Sequence, residues 1–264
     1  MTRPPPPRWV LVAATVAVLF AGIPLAGMAA RIPWADVPTL LTSGAARDAT
    51  LLSLRTGAVA TVLCVVLGTP LAVMLSRGRG PLAGAARTVT VLPMVLPPVV
   101  AGLALLTTLG RTGVLGRHLS VLGIEIGFST TAVVIAQTFV AMPFLVVSVE
   151  GALRSVDVRL ERTAASLGAS PTRVLMGVTV PLILPALVAG ATMSFARALG
   201  EFGATLTFAG SLQGTTRTLP LEIYLSRETD TETALALALL LIVVAALLMA
   251  VSAGISRRWA ADRG

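Results

Sequence analysis

The sequence predicts an all-α polytopic membrane protein with six transmembrane helices, and three observations carry that prediction. The chain of 264 residues is 55% hydrophobic and 12% charged, against about 25% charged in an ordinary soluble domain. Apolar runs recur along it, each close to the ~20 residues that cross a hydrocarbon core of roughly 30 Å as a helix. The charge falls mostly between those runs and is positive: the formal net is +8, and every basic residue is Arg.

The composition also excludes chemistry. A chain without Lys has no P-loop, because that motif places Lys after its glycines. An Arg-only basic set also fits a genome rich in G and C, and that reading carries most of the weight. A single Cys, Cys64, excludes an intramolecular disulfide and a four-Cys zinc site. The single His, His118, falls in a predicted loop.

Residues 1–8 are a Pro-rich arm with Arg3 and Arg8. The first span runs from about Trp9 to Ala30; it is longer than the apolar core of a signal peptide, typically 7–15 residues, so an uncleaved span is preferred. A loop over 31–49 follows, with Trp34 suited to an interface. The second span covers about Thr50 to Ser76, with Arg55 near its start. The third covers about Arg87 to Gly110 and contains Pro93, Pro97 and Pro98. Proline interrupts the helical hydrogen-bond ladder, and in a bilayer the freed carbonyls need neighbours or a cavity. A bent helix beside a pathway and a merely kinked packing helix are both open here. The fourth span covers about Phe128 to Val149, with Gln137 and Pro143 inside. After a polar segment, 150–177, the fifth runs from about Val178 to Thr207. A loop over 209–231 holds Thr215, Thr216, Thr218, Pro220 and several acids. The sixth covers about Thr233 to Ile255, closed by Arg257 and Arg258.

The distribution of Arg orients the spans, because cytoplasmic segments carry the excess. With the N-terminus inside, Arg3, Arg8, Arg77, Arg79, Arg87, Arg154, Arg159, Arg162, Arg173, Arg257, Arg258 and Arg263 are cytoplasmic. Arg31, Arg47, Arg111, Arg117, Arg217 and Arg227 are external. Both termini, and the 150–177 segment, are therefore expected in the cytoplasm.

Asp157 is a candidate N-cap, and Gly168 suits the left-handed position past a helix end. Together they predict a short helix over 158–167. Ser170 and Pro171 then restart a helix as N-cap and first position. The segment reads as helix, glycine elbow, helix, membrane, and its small residues Ala164, Ala165 and Ser166 would let a partner surface approach. An ordinary solvated amphipathic loop is the competing reading.

From Glu161 to Gly168 the chain reads Glu-Arg-Thr-Ala-Ala-Ser-Leu-Gly, and nine residues later comes Val178-Thr-Val-Pro181. This resembles the cytoplasmic motif of bacterial ABC importer permeases, Glu-Ala-Ala, three residues, Gly, nine residues, Ile-x-Leu-Pro. Arg162 and Thr163 stand where the family has Glu and the first Ala, Ala164 fits the second Ala, and Glu161 lies one place early. Phe195 to Thr205, Ala209-Gly210 and Thr216 to Tyr224 are similar to the molybdate-type permeases of the molybdate/sulfate permease family. The likeness spans roughly residues 45–255.

The resemblance implies a type I ABC importer permease fold in the bacterial plasma membrane: an arm at 1–8, one permease domain over 9–255 with its coupling segment at 150–177, and a tail at 256–264. It implies the import of molybdate by alternating access, with sulfate, thiosulfate or tungstate as alternatives. It also implies the partners: a second copy of the chain, two cytoplasmic ABC ATPase subunits that carry ATP and Mg, and an extracytoplasmic oxyanion-binding protein. No catalytic group, metal, cofactor or nucleic acid is expected on this chain. Asp157, Glu161, Arg162, Thr163, Ala164, Ala165, Gly168, Ala169 and Pro181 are the expected ATPase-coupling residues.

Arg197 and Glu201 lie one helical turn apart within the fifth span and so share a face. About 19 residues separate Val178 from Arg197, or ~28 Å of helical rise, which places the pair near the outer surface. Pro97, Pro98, Arg197, Gly200, Glu201 and Gly203 are the candidates for a pathway or gate; a structural pair that fixes helix packing is the competing reading. An intramembrane enzyme is disfavoured, since no Gly-x-Ser-x-Gly or His-Glu-x-x-His occurs. A secondary anion transporter would favour inverted repeats and mid-membrane carboxylates, and neither is found.

Overall fold

The computed structural model describes residues 6–261; the first five residues of the predicted arm and the last three of the tail lie outside that range. The helices, in order, are α1 (Arg8–Ala29), α2 (Val37–Leu41), α3 (Gly44–Arg77), α4 (Pro81–Val95), α5 (Pro98–Leu109), α6 (Gly116–Val121), α7 (Thr130–Ser155), α8 (Val158–Ser166), α9 (Pro171–Val174), α10 (Val180–Leu199), α11 (Gly203–Ala209), α12 (Leu219–Thr229) and α13 (Thr231–Ala261). A π-helical turn, Leu175–Thr179, joins α9 to α10. Five segments among the described residues are long and apolar enough to cross a bilayer: α1, α3, α7, Pro171–Leu199 and the start of α13. The bent pair α4 and α5 makes the sixth candidate.

The core lies where α3, α7 and α10 meet. Ala60, Cys64, Ala72 and Leu75 pack against Ala141, Leu145, Val146, Val149, Ile183 and Ala198. Small residues let these helices approach closely, as membrane helix contacts require. A Cβ on Gly68 would lie 2.9 Å from Leu145 Cδ2, and one on Gly190 3.0 Å from Ser148 Cβ. Side-chain hydroxyls set the register: Ser194 donates to the Ala141 carbonyl at 3.0 Å and Ser148 to that of Ala186 at 3.0 Å.

Gln137 lies on α7 one turn from Ala141 and is fully buried, with neither amide atom hydrogen-bonded. A buried polar group without a partner costs about 1–3 kcal/mol. Gln137→Leu, close in volume, is therefore expected to raise thermal stability, read from the midpoint of unfolding in detergent. An unchanged or lower midpoint would mean that the amide is paired.

Five expectations are corrected. The third span is not one helix: α4 and α5 meet at a bend of 118°. Two consecutive prolines explain it. Leu96 and Pro97 are extended, with ψ 135°, because the residue before a proline is pushed out of the α region, and Pro98 then opens a new helix. The fifth span does not reach Thr207; α10 ends at Leu199 and α11 starts at Gly203. The 209–231 stretch is not a plain loop, because α12 occupies most of its second half. Its first residue is tied into the bundle, with Leu219 N donating to Ser53 Oγ of α3 at 2.6 Å. Residues 150–155 belong to α7, and α13 runs on through residues expected to form the tail.

Candidate functional site

The predicted residues gather in two places. The first is the end of the bundle where α7, α8 and α9 meet. The Asp157 carboxylate accepts a hydrogen bond from Arg159 N at 2.9 Å, so it caps α8 as expected. Gly168 has φ +84°, and Ala169 N donates to the Ala164 carbonyl at 3.1 Å, a closing pattern that requires a left-handed residue. Ser170 caps the next helix and Pro171 opens it. Arg162, Thr163 and Ala165 are exposed, while Ala164, Ala169 and Pro181 are half-buried.

Glu161 points inward. Its carboxylate pairs with Arg77 at the end of α3, at 3.1 Å, and accepts the Thr179 hydroxyl at 2.6 Å. One carboxylate thus joins α3, α8 and the π-helical turn. Arg77 and Thr179 are 84 and 18 residues away from Glu161 in sequence, so no short-range pattern announces this link. A cavity of about 280 Å³ lies beside it, lined by Arg77, Val158, Glu161, Arg162, Ala165, Ala169, Pro171 and Val174.

Because Gly168 sits at positive φ and its N–H donates to the Ala165 carbonyl at 3.0 Å, Gly168→Pro removes that bond and forces φ to about −65°. Gly168→Ala faces only the left-handed penalty of about 1–2 kcal/mol. If Gly168 couples α8 to transport, as the resemblance implies, the proline variant should insert in the membrane yet lose uptake, with alanine intermediate. Normal uptake by Gly168→Pro would remove Gly168 from the coupling residues that the resemblance implies.

The second place is the break between α10 and α11. Arg197 on the last turn of α10 pairs with Glu201 at 2.6 Å. Glu201 lies beyond the helix end, and its other oxygen accepts from Ala204 N at 2.8 Å. A carboxylate near a helix start suits the free N–H groups there. Its side chain is 1% exposed, against 27% for Arg197. The pair therefore forms, but it sits at a break between two helices and does not lie along one continuous helix.

Pro98 and Gly203 are brought together. A Cβ on Gly203 would lie 2.8 Å from Pro98 Cβ, and one on Gly102 would lie 2.7 Å from Thr207 Cβ and 2.9 Å from the Ala204 carbonyl oxygen. Thus α5 and α11 pack backbone against backbone through two glycines, and the expected break at Pro97 meets the unexpected one after Leu199. Pro97 caps α5 and is exposed. Gly200 ends α10 with an ordinary φ of −85°. It lines a cavity of about 450 Å³ with Phe202, Pro220, Ile223, Tyr224 and Arg227 among others.

The sequence reading did not anticipate a third cluster. Glu150, near the end of α7, is gripped by Arg87 of α4 and by Arg154 one turn along α7, at 3.0 Å.

Residues 64–261 match the family described as binding-protein-dependent transport system inner membrane component. The molybdenum transport system permease protein ModB of Mycobacterium tuberculosis is 54% identical over 92% of this chain and 92% of its own. The protein of that name from Escherichia coli is 40% identical over 69% of this chain and 80% of its own. Among solved structures, a bacterial ABC transporter for the acidic polysaccharide alginate superposes with a TM-score of 0.73 over 95% of this chain and 96% of that chain, at 20% identity. The broken spans, the helix–elbow–helix segment and these matches agree: the chain belongs to the family of inner membrane components of binding-protein-dependent transport systems, and it is a multi-pass plasma membrane protein with the fold of ABC importer permeases.

Proposed function

We propose that this chain is the permease subunit of an ATP-driven importer for molybdate. The observation that carries the reading is its 54% identity, over 92% of both chains, to a molybdenum permease. The physics of transport demands a power source. Moving a dianion inward against 100 mV, inside negative, costs about 4.6 kcal/mol before any gradient. The chain has no P-loop lysine, so ATP and Mg belong on partner ATPase subunits. Those subunits would grip the exposed face of α8, with Arg162, Thr163 and Ala165 on it and Asp157, Gly168, Ala169 and Pro181 fixing its position. Glu161 would hold α8 to its own protomer. The α5–α11 contact and the Arg197–Glu201 pair would form part of the gate.

A second copy of the chain completes the pathway in this reading. In its support, α1 buries none of its residues within the protomer, which leaves an apolar helix for lipid or a partner. An extracytoplasmic binding protein would deliver the anion to the surface opposite α8. In this reading α8 and both termini lie in the cytoplasm, which the excess of Arg in those segments supports.

The test is uptake. The permease with its co-purified ATPase, reconstituted in vesicles with a loaded binding protein, is expected to accumulate molybdate only with ATP. A large excess of sulfate should not compete. Competition would redirect the reading to sulfate, and uptake without ATP would sink it.

Topology has its own check. Ser170→Cys in a Cys64→Ala background is expected to resist an impermeant thiol reagent added to intact cells, while Ser211→Cys should react. Labelling of the first from outside would invert the orientation.

A further inference from the structure

α4 is poorly held. Of its 15 residues only Thr90 and Pro93 are buried, while Leu82, Val89 and Val95 are 83%, 69% and 78% exposed. The hydroxyls of Thr88 and Thr90 bond back to carbonyls of α4 itself. Among the described residues, every side-chain hydrogen bond that leaves α4 comes from Arg87. Arg87 Nε donates to both oxygens of Glu150, at 3.1 and 3.4 Å, and its terminal nitrogen reaches Glu150 again and the Leu75 carbonyl at 3.4 Å. The Glu150 side chain is only 10% exposed. A two-pronged guanidinium–carboxylate contact fixes direction as well as distance.

The position of this contact gives it meaning. Glu150 lies five residues before the end of α7, and only Val156 and Asp157 separate α7 from α8. From Arg87, α4 runs to the break at Leu96 and Pro97, then into α5, whose Gly102 lies against α11. One ion pair therefore ties the end of α7 that leads into α8 to α4, which runs into the helix packed on α11.

We propose that Arg87–Glu150 is the joint through which movement of α8 reaches α4, α5 and the α5–α11 contact, so that Arg87 and Glu150 are positioning residues for transport. This rests on the transport reading above. Arg154 supplies an internal control. It pairs with the same carboxylate at 3.0 Å but sits on the same helix, four residues along, so it compensates charge without joining helices.

The experiment compares Arg87→Ala with Arg154→Ala in the intact permease with its co-purified ATPase. The readouts are molybdate moved per ATP hydrolysed and the spin-label distance between Leu82→Cys and Ser155→Cys, both in a Cys64→Ala background. Arg87→Ala is expected to lower molybdate moved per ATP roughly tenfold, within the usual range of coupling between sites, with hydrolysis preserved and the α4–α7 distance broadened. Arg154→Ala should keep wild-type coupling and a narrow distance. Equal losses in both variants, or uptake and hydrolysis falling together, would overturn the proposal in favour of charge balance alone. Should Arg87→Ala fail to insert, Arg87→Lys keeps the charge but loses the two-pronged grip; wild-type values on both readouts there would also overturn it. The distances need no substrate. A wild-type complex that moves no molybdate would thus count against the transport reading and leave the joint to be judged separately.

Discussion

Replacing Gly102 with alanine is expected to abolish transport and to destabilise the protein. The new methyl carbon would sit 2.7 Å from Thr207 Cβ, 2.9 Å from the Ala204 carbonyl oxygen and 3.0 Å from Ala204 Cα. Two of those three atoms are backbone, so no rotamer change relieves the contact, and α5 must move off α11. Overpacking of this kind costs about 1–3 kcal/mol. Gly203→Ala, which meets Pro98 Cβ at 2.8 Å, should act in the same direction. Gly84 is the control: nothing lies within 4 Å of a Cβ placed there. Alanine at that helical position, in the first turn of α4, should be neutral or stabilising by up to about 1 kcal/mol. Uptake and unfolding midpoints for the three variants decide the matter. Wild-type values for Gly102→Ala would mean that α5 and α11 do not pack this closely.

The second large effect belongs to Arg197 and Glu201. Breaking a buried pair by removing one partner costs about 3–5 kcal/mol. The geometry makes the two removals unequal. Arg197→Ala leaves a carboxylate that is 1% exposed without its cation; Glu201→Ala leaves an arginine that is 27% exposed and can still reach water. The acid, however, also caps Ala204 N at 2.8 Å, so its loss frees a buried N–H as well. A double alanine variant should therefore recover only part of the folded yield. Glu201→Gln in the Arg197→Ala background, which keeps an oxygen for Ala204, should recover more. If the double variant is no more stable than either single, the residues do not pair. If it is stable and transports at full rate, the pair has no part in the gate.

Features set by neighbouring residues were legible in the sequence. The cap at Asp157, the elbow at Gly168 and the restart at Ser170 and Pro171 depend on hydrogen bonds a few residues long, and residue type alone announces them. So did the break at Pro97, though not its size, because proline dictates the local backbone but not the direction of the next helix. The break after Leu199 was hidden. Phe202 to Thr207 continues the apolar run, and an Arg and a Glu four apart look like one helical face. Gly200 and Gly203 were the available signal. The grip of Arg87 on Glu150 and of Arg77 on Glu161 lies beyond any such reading, because the partners are 63 and 84 residues apart. α12 was missed for another reason: Thr218 and Pro220 mark a helix start, but the polar residues around them read as loop.

The solitary packing of α1 has a consequence for how this protein tolerates change. Its 22 residues bury nothing within the protomer, and the family match begins only at residue 64. Among the described residues, no complementary surface specifies which apolar side chain stands at each position. Within the protomer, hydropathy and length are thus the constraints on α1, whereas α3 and α7 are held to particular shapes by contacts such as Gly68 on Leu145. Saturation mutagenesis should reveal two regimes in one membrane domain. In α1, Leu, Ile, Val and Phe should be interchangeable. In α3 and α7, a single added methyl group should be felt.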